Sequence, residues 1–193
     1  ECELLPRVKT DGRVLDIGIS RGHAISPLAF AGLSILGVDT NVGALKFCHE
    51  EFDKAGFGDK LITAYMDAMQ FLDTNTQKFD VVSMSDLLMF FAKTKAKELI
   101  KSGFGAVETG GLIWIVTKST NDSLYSELGW MSPIETDTYI IQTGCHGLST
   151  VCFFLPGEVD EILAGQGASV LFSSESVNSV GGVVNTILAK NGS

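Results

Sequence analysis

The chain has 193 residues, a formal net charge of −9, and 45% hydrophobic against 19% charged residues. That length suits one domain with a full core, and the composition excludes a disordered or collagen-like chain. The longest notable apolar runs, Leu87 to Ala92 and Leu112 to Val116, fall far short of the ~20 residues of a membrane-spanning helix.

Charge is unevenly distributed. From Ser119 to Ala189 there is no Lys or Arg, while Asp122, Glu127, Glu135, Asp137, Glu158, Asp160, Glu161 and Glu175 fall in the same stretch. Gripping nucleic acid or an anionic membrane surface relies on cations, so neither is an expected partner. Cys2, Cys48, Cys145 and Cys152 form no C-x-x-C pair and have no histidine at zinc-ligand spacing. Free thiols, no metal site and a reducing, cytoplasmic setting are therefore expected. The chain begins at Glu1, and no secretory signal is visible at that end.

In chain order, Arg13 to Ile17 reads as a buried strand, followed by a glycine-bearing loop and a helix from about Gly22 to Ala31. Ser34 to Val38 is a second strand, and Asn41 caps a helix to about Ala55 whose Leu45, Cys48 and Phe52 share one face. Leu61 to Tyr65 and Phe79 to Met84 are the third and fourth strands, with a helix over Lys93 to Val107. Gly110-Gly111 marks a turn into the fifth strand, Leu112 to Thr117. A helix over Gly157 to Ala164 precedes strands at Ser169 to Phe172 and Gly182 to Lys190, which a serine-rich loop joins. This alternation predicts an α/β fold whose first five strands are mostly parallel. Ser119 to Leu155 breaks the alternation and is predicted to be an insertion within a single domain spanning 1–193. Within it, Tyr139 to Gly144 and Ser149 to Phe154 read as a hairpin that extends the sheet, covers the pocket or mediates a homodimer through 139–155.

The informative segment is Val14-Leu15-Asp16-Ile17-Gly18-Ile19-Ser20-Arg21-Gly22-His23. Open α/β sheets bind ligands beyond the carboxyl ends of their strands, where strand order reverses. Gly18 and Gly22 allow a ligand to lie on bare backbone, and amides opening the next helix favour a negative group such as a carboxylate or phosphate. The dinucleotide pattern G-x-G-x-x-G would require a small residue at position 23, where His23 stands. The spacing found is Asp16-x-Gly18-x-Ser20-x-Gly22.

That spacing resembles motif I of the class I S-adenosylmethionine-dependent methyltransferases, with Ser20 replacing the middle glycine. The likeness continues through Gly37-Val38-Asp39-Thr40, Met66-Asp67-Ala68, Phe79-Asp80-Val81-Val82 and Gly110-Gly111-Leu112, covering about 14–117 and the chain end. It implies a Rossmann-like, doubly wound α/β/α sandwich with a seven-stranded, mostly parallel sheet and an antiparallel last strand. It also implies S-adenosylmethionine as cofactor and a small-molecule acceptor. Asp16, Gly18, Ser20 and Gly22 would shape the methionine side, Asp39 would hold the ribose and Asp67 the adenine. Ile19, Thr40, Ala68 and Ser83 are further expected contacts, and Ser85 and Asp86 would border the transferred methyl. Taken singly, Asp39 also suits a helix N-terminus, Asp67 a turn and Asp86 a helix cap.

Methyl transfer from a sulfonium needs alignment more than side-chain chemistry, and a general base only where the acceptor carries a proton. His146, His23, Asp86 and Tyr139 are the candidates for that base. Phe153-Phe154-Leu155-Pro156-Gly157-Glu158 is loosely similar to a stretch in tellurite-resistance-type methyltransferases. A catalytically silent module that binds S-adenosylmethionine or a protein partner is the second expectation, and a nicotinamide oxidoreductase the third.

Overall fold

Two periodicities, one of β-branched runs and one of amphipathic helices, set the architecture of the computed structural model, which describes residues 3–143 and 147–192. The strands are β1 (Arg13–Ile17), β2 (Ser34–Asp39), β3 (Leu61–Tyr65), β4 (Phe79–Ser85), β5 (Val107–Lys118), β6 (Thr138–Thr143), β7 (Gly147–Cys152), β8 (Ala168–Val177) and β9 (Val183–Asn191). The helices are α1 (Ser26–Phe30), α2 (Val42–Lys54), α3 (Ala68–Thr74), α4 (Lys93–Gly105), α5 (Ser123–Glu127) and α6 (Glu158–Ala164). Seven strands form one sheet in the order β3-β2-β1-β4-β5-β9-β8. Neighbours from β3 to β5 pair in parallel, and β9 runs antiparallel between β5 and β8. This is the seven-stranded, mostly parallel Rossmann-like sheet expected, with its last strand reversed.

Each face of the sheet carries its own core. Leu15, Ile17, Val82, Met84, Ile113 and Ile115 pack against Leu99, Ile100 and Phe104 of α4 and Val159 and Leu163 of α6. On the other face, Val14, Ile35, Val81 and Leu112 meet Leu28 and Ala29 of α1 and Leu45, Cys48 and Phe52 of α2. Burying such a side chain contributes roughly 1.5–3 kcal/mol, so the predicted stripe on α2 fixes that helix to the sheet. Asn41 caps α2 by accepting the Ala44 amide at 3.0 Å, as its sequence position predicts.

Register positions the site. Asp16 lies opposite Gly37 and Ser83, and Asp39 opposite Tyr65, so β1 to β4 end along one edge. Strand order reverses between β1 and β4, which opens a crevice beyond their carboxyl ends.

Several boundaries differ from expectation. The first helix begins at Ser26 rather than Gly22, because Gly22 holds a φ of 77° and Pro27 sits at the helix start. Gly110-Gly111 is not a turn before β5 but part of it: Gly110 has a φ of 79°, and the β4 register shifts between Phe79 and Val81. The serine-rich stretch is not a loop either. Through Val177 it continues β8 along β9 as an edge strand, where serines face solvent without breaking the ladder.

Between β5 and α6 the chain forms α5 and a two-stranded sheet of β6 and β7, separate from the main one. The hairpin therefore does not extend the main sheet. Lys93, at the start of α4, anchors it. The Lys93 ammonium is buried, 2.7 Å from Glu158 Oε2 and 3.5 Å from Asp137 Oδ2, donates to the Phe153 carbonyl and sits 4.1 Å from the Phe154 ring centroid. One side chain thus ties α4, α6 and the hairpin stem together. Removing one partner of a buried pair leaves the others uncompensated, at a cost of ~3–5 kcal/mol. Lys93→Ala is expected to lose about that much stability in a denaturant titration. Lys95→Ala, which breaks the exposed Lys95–Glu98 pair, is expected to lose under ~1 kcal/mol.

Candidate functional site

Three adjoining cavities open beyond the carboxyl ends of β1, β2 and β4. The largest, about 420 Å³, is lined by Gly18, Ser20, Asp39, Thr40 and Ser85 together with Asn41, Asp86, Leu87, Met89, Phe90 and Phe91. A second, about 240 Å³, is bounded by Asp16, Gly18, Ile19, Ser20, Arg21, His23, Ala24, Ser85 and Asp86. A slot of about 80 Å³ lies between Gly18, Asp39, Thr40, Asp67, Ala68, Leu87 and Phe91. Gly18 is common to all three, so loops from β1, β2, β3 and β4 converge on one backbone position. A Cβ on Gly18 would approach Leu87 Cδ1 to 2.8 Å, and its φ of 78° also disfavours any side chain.

Asp39 connects these loops. Its Oδ2 accepts the Ser20 amide and its Oδ1 the Asn41 amide, each at 2.8 Å. Ser20 adopts a left-handed φ of 49°, the conformation that the replaced glycine would take more easily. The departure from the glycine pattern thus keeps the backbone shape and adds a hydroxyl. Asp67 caps α3, its Oδ1 accepting the Met69 and Gln70 amides at 2.9 and 3.1 Å, and it also lines the slot.

The amides of the β1 loop are partly committed within the chain. Gly18 and Ile19 donate to the Val38 carbonyl, Ser20 to Asp39, and Gly22 to the Ile19 carbonyl. Four N–H groups are thus used and no regular helix begins until Ser26, while the amides of Arg21, His23 and Ala24, which line the 240 Å³ cavity, make no hydrogen bond within the chain. Gly22 plays a packing part: a Cβ there would come within 2.7 Å of Cys48 Sγ, and the residue lines none of the three cavities. Gly37 makes room in the same way for Ile19.

Asp16 is 3% exposed, on the strand position beside Ser83. Burial pushes its carboxyl up to about 7; the neighbouring Ser83 hydroxyl lowers it and the Asp39 charge raises it further. Ser83 itself is buried behind the cavity walls. Desolvation also raises the Asp86 carboxyl, against a lowering influence from Lys118.

The base candidates separate clearly. His23 is exposed at the rim of the 240 Å³ cavity, and Asp86 lines both larger cavities. Tyr139 is removed from the site: it is buried in the hairpin's own cluster, its ring 6.1 Å from Tyr125 and 6.4 Å from Phe153. His146 lies outside the described residues. Sequence reasoning did not assign Leu87, Met89, Phe90 and Phe91 to the site. Their signal was present as an apolar run directly after an acid at a strand's carboxyl end.

Comparison with known proteins gives the arrangement a family. No curated protein matches the chain. Among solved structures, the fold is similar to an S-adenosylmethionine-dependent methyltransferase from Methanosarcina mazei, at 19% identity and a TM-score of 0.81, covering 100% of this chain and 98% of that one. It is also similar to magnesium protoporphyrin IX methyltransferase from Synechocystis PCC 6803 with bound S-adenosylmethionine, at 14% identity and a TM-score of 0.68, covering 94% and 71%. TehB from Haemophilus influenzae matches at 17% identity and a TM-score of 0.69, covering 99% and 62%. A family model described as a methyltransferase domain matches residues 14–111, just over half of the chain. The chain belongs to the methyltransferase-domain family and carries the fold of S-adenosylmethionine-dependent methyltransferases.

Proposed function

We propose that the three cavities take S-adenosylmethionine and that the protein transfers its methyl group to a small-molecule acceptor. The observation that carries this reading is the convergence of Gly18, Asp39 and Asp67 on one slot from three different loops. The residues fit the cofactor. Gly18 leaves a bare backbone cradle that a Cβ would fill, and Asp16 is a buried acid without a cation among its influences. An α-ammonium would supply that charge. The Asp39 carboxylate keeps lone pairs beyond its two amide bonds, suited to a ribose diol through charge-assisted hydrogen bonds. Asp67, Ala68, Leu87 and Phe91 offer a flat, half-apolar slot for adenine.

When bound, the cofactor supplies a methyl group already activated on a sulfonium. What remains for the chain is to hold donor and acceptor in line and to exclude water. Ser85 and Asp86 stand at the junction of the two larger cavities, where the methyl would be presented. The name of the Synechocystis relative gives it a small-molecule acceptor, which supports the same class here.

Asp39→Ala is expected to weaken S-adenosylmethionine binding at least tenfold in calorimetry while the circular dichroism spectrum stays folded. Unchanged affinity contradicts the assignment. Protons should report on Asp16. A ligand ammonium favours the carboxylate, so binding below pH 7 must expel the proton that the free protein holds. Affinity is therefore expected to rise from pH 5 to pH 8, with proton release at pH 6 seen as a dependence of binding heat on buffer, and Asp16→Asn should flatten both. For the free protein the sign is the reverse. Its buried acid keeps a proton up to about 7, whereas the unfolded chain releases it near 3.8, so this group's contribution to stability falls across that window as pH rises.

A further inference from the structure

Beyond β4 the cavity changes character. Asp86 holds a left-handed φ of 55°, a conformation that Asp and Asn accept more readily than most residues. The turn that follows, Leu88–Phe90, brings Leu87, Met89, Phe90 and Phe91 to the same wall. Phe90 is 54% exposed, an uncovered aromatic face at the mouth. Among the described residues no Lys or Arg lines the larger cavity, whose charged members are Asp39 and Asp86. Asp39 is bound by two amides, whereas burial and the Lys118 charge are the influences on Asp86, with no hydrogen bond among them. Lys118 is itself held by Asp122 at 3.1 Å. An apolar wall, one uncommitted carboxylate and no lining cation together select for an acceptor that is apolar in body and cationic or proton-bearing at its reactive end.

We propose that Asp86 binds the acceptor and removes its proton, and that the acceptor is a small amine on an apolar body. This inference rests on the cofactor reading above. In the larger cavity an anionic acceptor would meet two carboxylates and no lining cation, since Arg21 belongs to the adjoining cavity and Lys118 is paired with Asp122. An ammonium pairs with Asp86 and lies against Met89 and Phe90, whose ring face adds a favourable cation–π contribution. Although Asp86 is exposed at the rim, desolvation by the adjoining wall raises its carboxyl against the lowering influence of Lys118, which favours accepting a proton. The ammonium passes one proton to Asp86. The freed nitrogen lone pair then forms the N–C bond as the C–S bond breaks and its electron pair stays on sulfur. The products are a methylated ammonium and a neutral thioether, and Asp86 returns its proton to water, so charge and atoms balance.

The test uses the full chain saturated with S-adenosylhomocysteine and three probes that share a phenyl body: 2-phenylethylamine, 2-phenylethanol and 3-phenylpropionate. Calorimetry is expected to give the amine at least tenfold tighter binding than either of the others. Asp86→Asn should cut amine binding at least tenfold when both chains are measured at saturating S-adenosylhomocysteine. With S-adenosylmethionine, the native chain should form the N-methyl product, and the variant should lose roughly 100-fold in rate, in line with loss of a general base. Asp86→Gly, which relieves the left-handed strain and is expected to fold, must show the same losses. Equal binding of the three probes, preference for the carboxylate, or native rates in both variants overturns the proposal. If the native chain fails to bind S-adenosylhomocysteine, the cofactor reading fails and takes this inference with it. If it binds and shows no amine preference, only this inference fails.

Discussion

Two hydrogen bonds to one carboxylate hold the site in shape. Asp39 reaches from the end of β2 to the amide of Ser20 after β1 and to its own loop at Asn41. The first bond fixes a left-handed residue that would otherwise relax, and the second sets the chain into α2. Because β1 and β2 pair in register up to Ile17 and Val38, the carboxylate needs to span only one strand spacing. Slipping that register by one residue would turn Asp16 and Asp39 to the opposite faces of the sheet and dissolve the cavity.

The crevice's electrostatics follow from this frame. Asp16 lies deep beside Ser83, Asp39 sits at mid-depth with its charge shared by amides, and Asp67 spends one oxygen on capping α3. Asp86 stands at the rim with neither kind of support. Four acids of one residue type thus meet four environments, from largely desolvated to open. Such separation of environments is what the counter-charge, diol-acceptor and base roles proposed above for Asp16, Asp39 and Asp86 require, beside the cap that Asp67 forms. Of the loop amides, those of Gly18, Ile19, Ser20 and Gly22 are bonded within the chain, and those of Arg21, His23 and Ala24 are not.

The parts of the site legible in the sequence are those that backbone topology dictates. Asp16, Gly18, Asp39 and Asp67 each stand at or just past a strand's carboxyl end, a position readable from hydrophobic runs and the residue that ends them. Gly22 was readable as a required glycine but not as a packing one, since its neighbour Cys48 comes from a helix over twenty residues away. The wall from Leu87 to Phe91 escaped because an apolar run gives no sign of whether it faces a core or a cavity. Tyr139 misled for the same reason in reverse, as an aromatic in an insertion suits either a pocket or a small local core. At fold level, the start of α1 and the extent of β8 were missed where local composition and long-range pairing disagree. Pro27 and Gly22 delay the helix, and pairing with β9 turns serines into a strand.

A structure of the chain crystallised with S-adenosylhomocysteine tests the central claim most directly. The account predicts both ribose hydroxyls within hydrogen-bond distance of Asp39, adenine in the slot beside Asp67 and Leu87, and the amino-acid tail reaching Asp16. A ligand seated elsewhere, for example in the separate cavity between α1 and α2 bounded by Phe30, Phe52 and Phe57, would contradict it. So would a ligand in this crevice with its ribose turned away from Asp39.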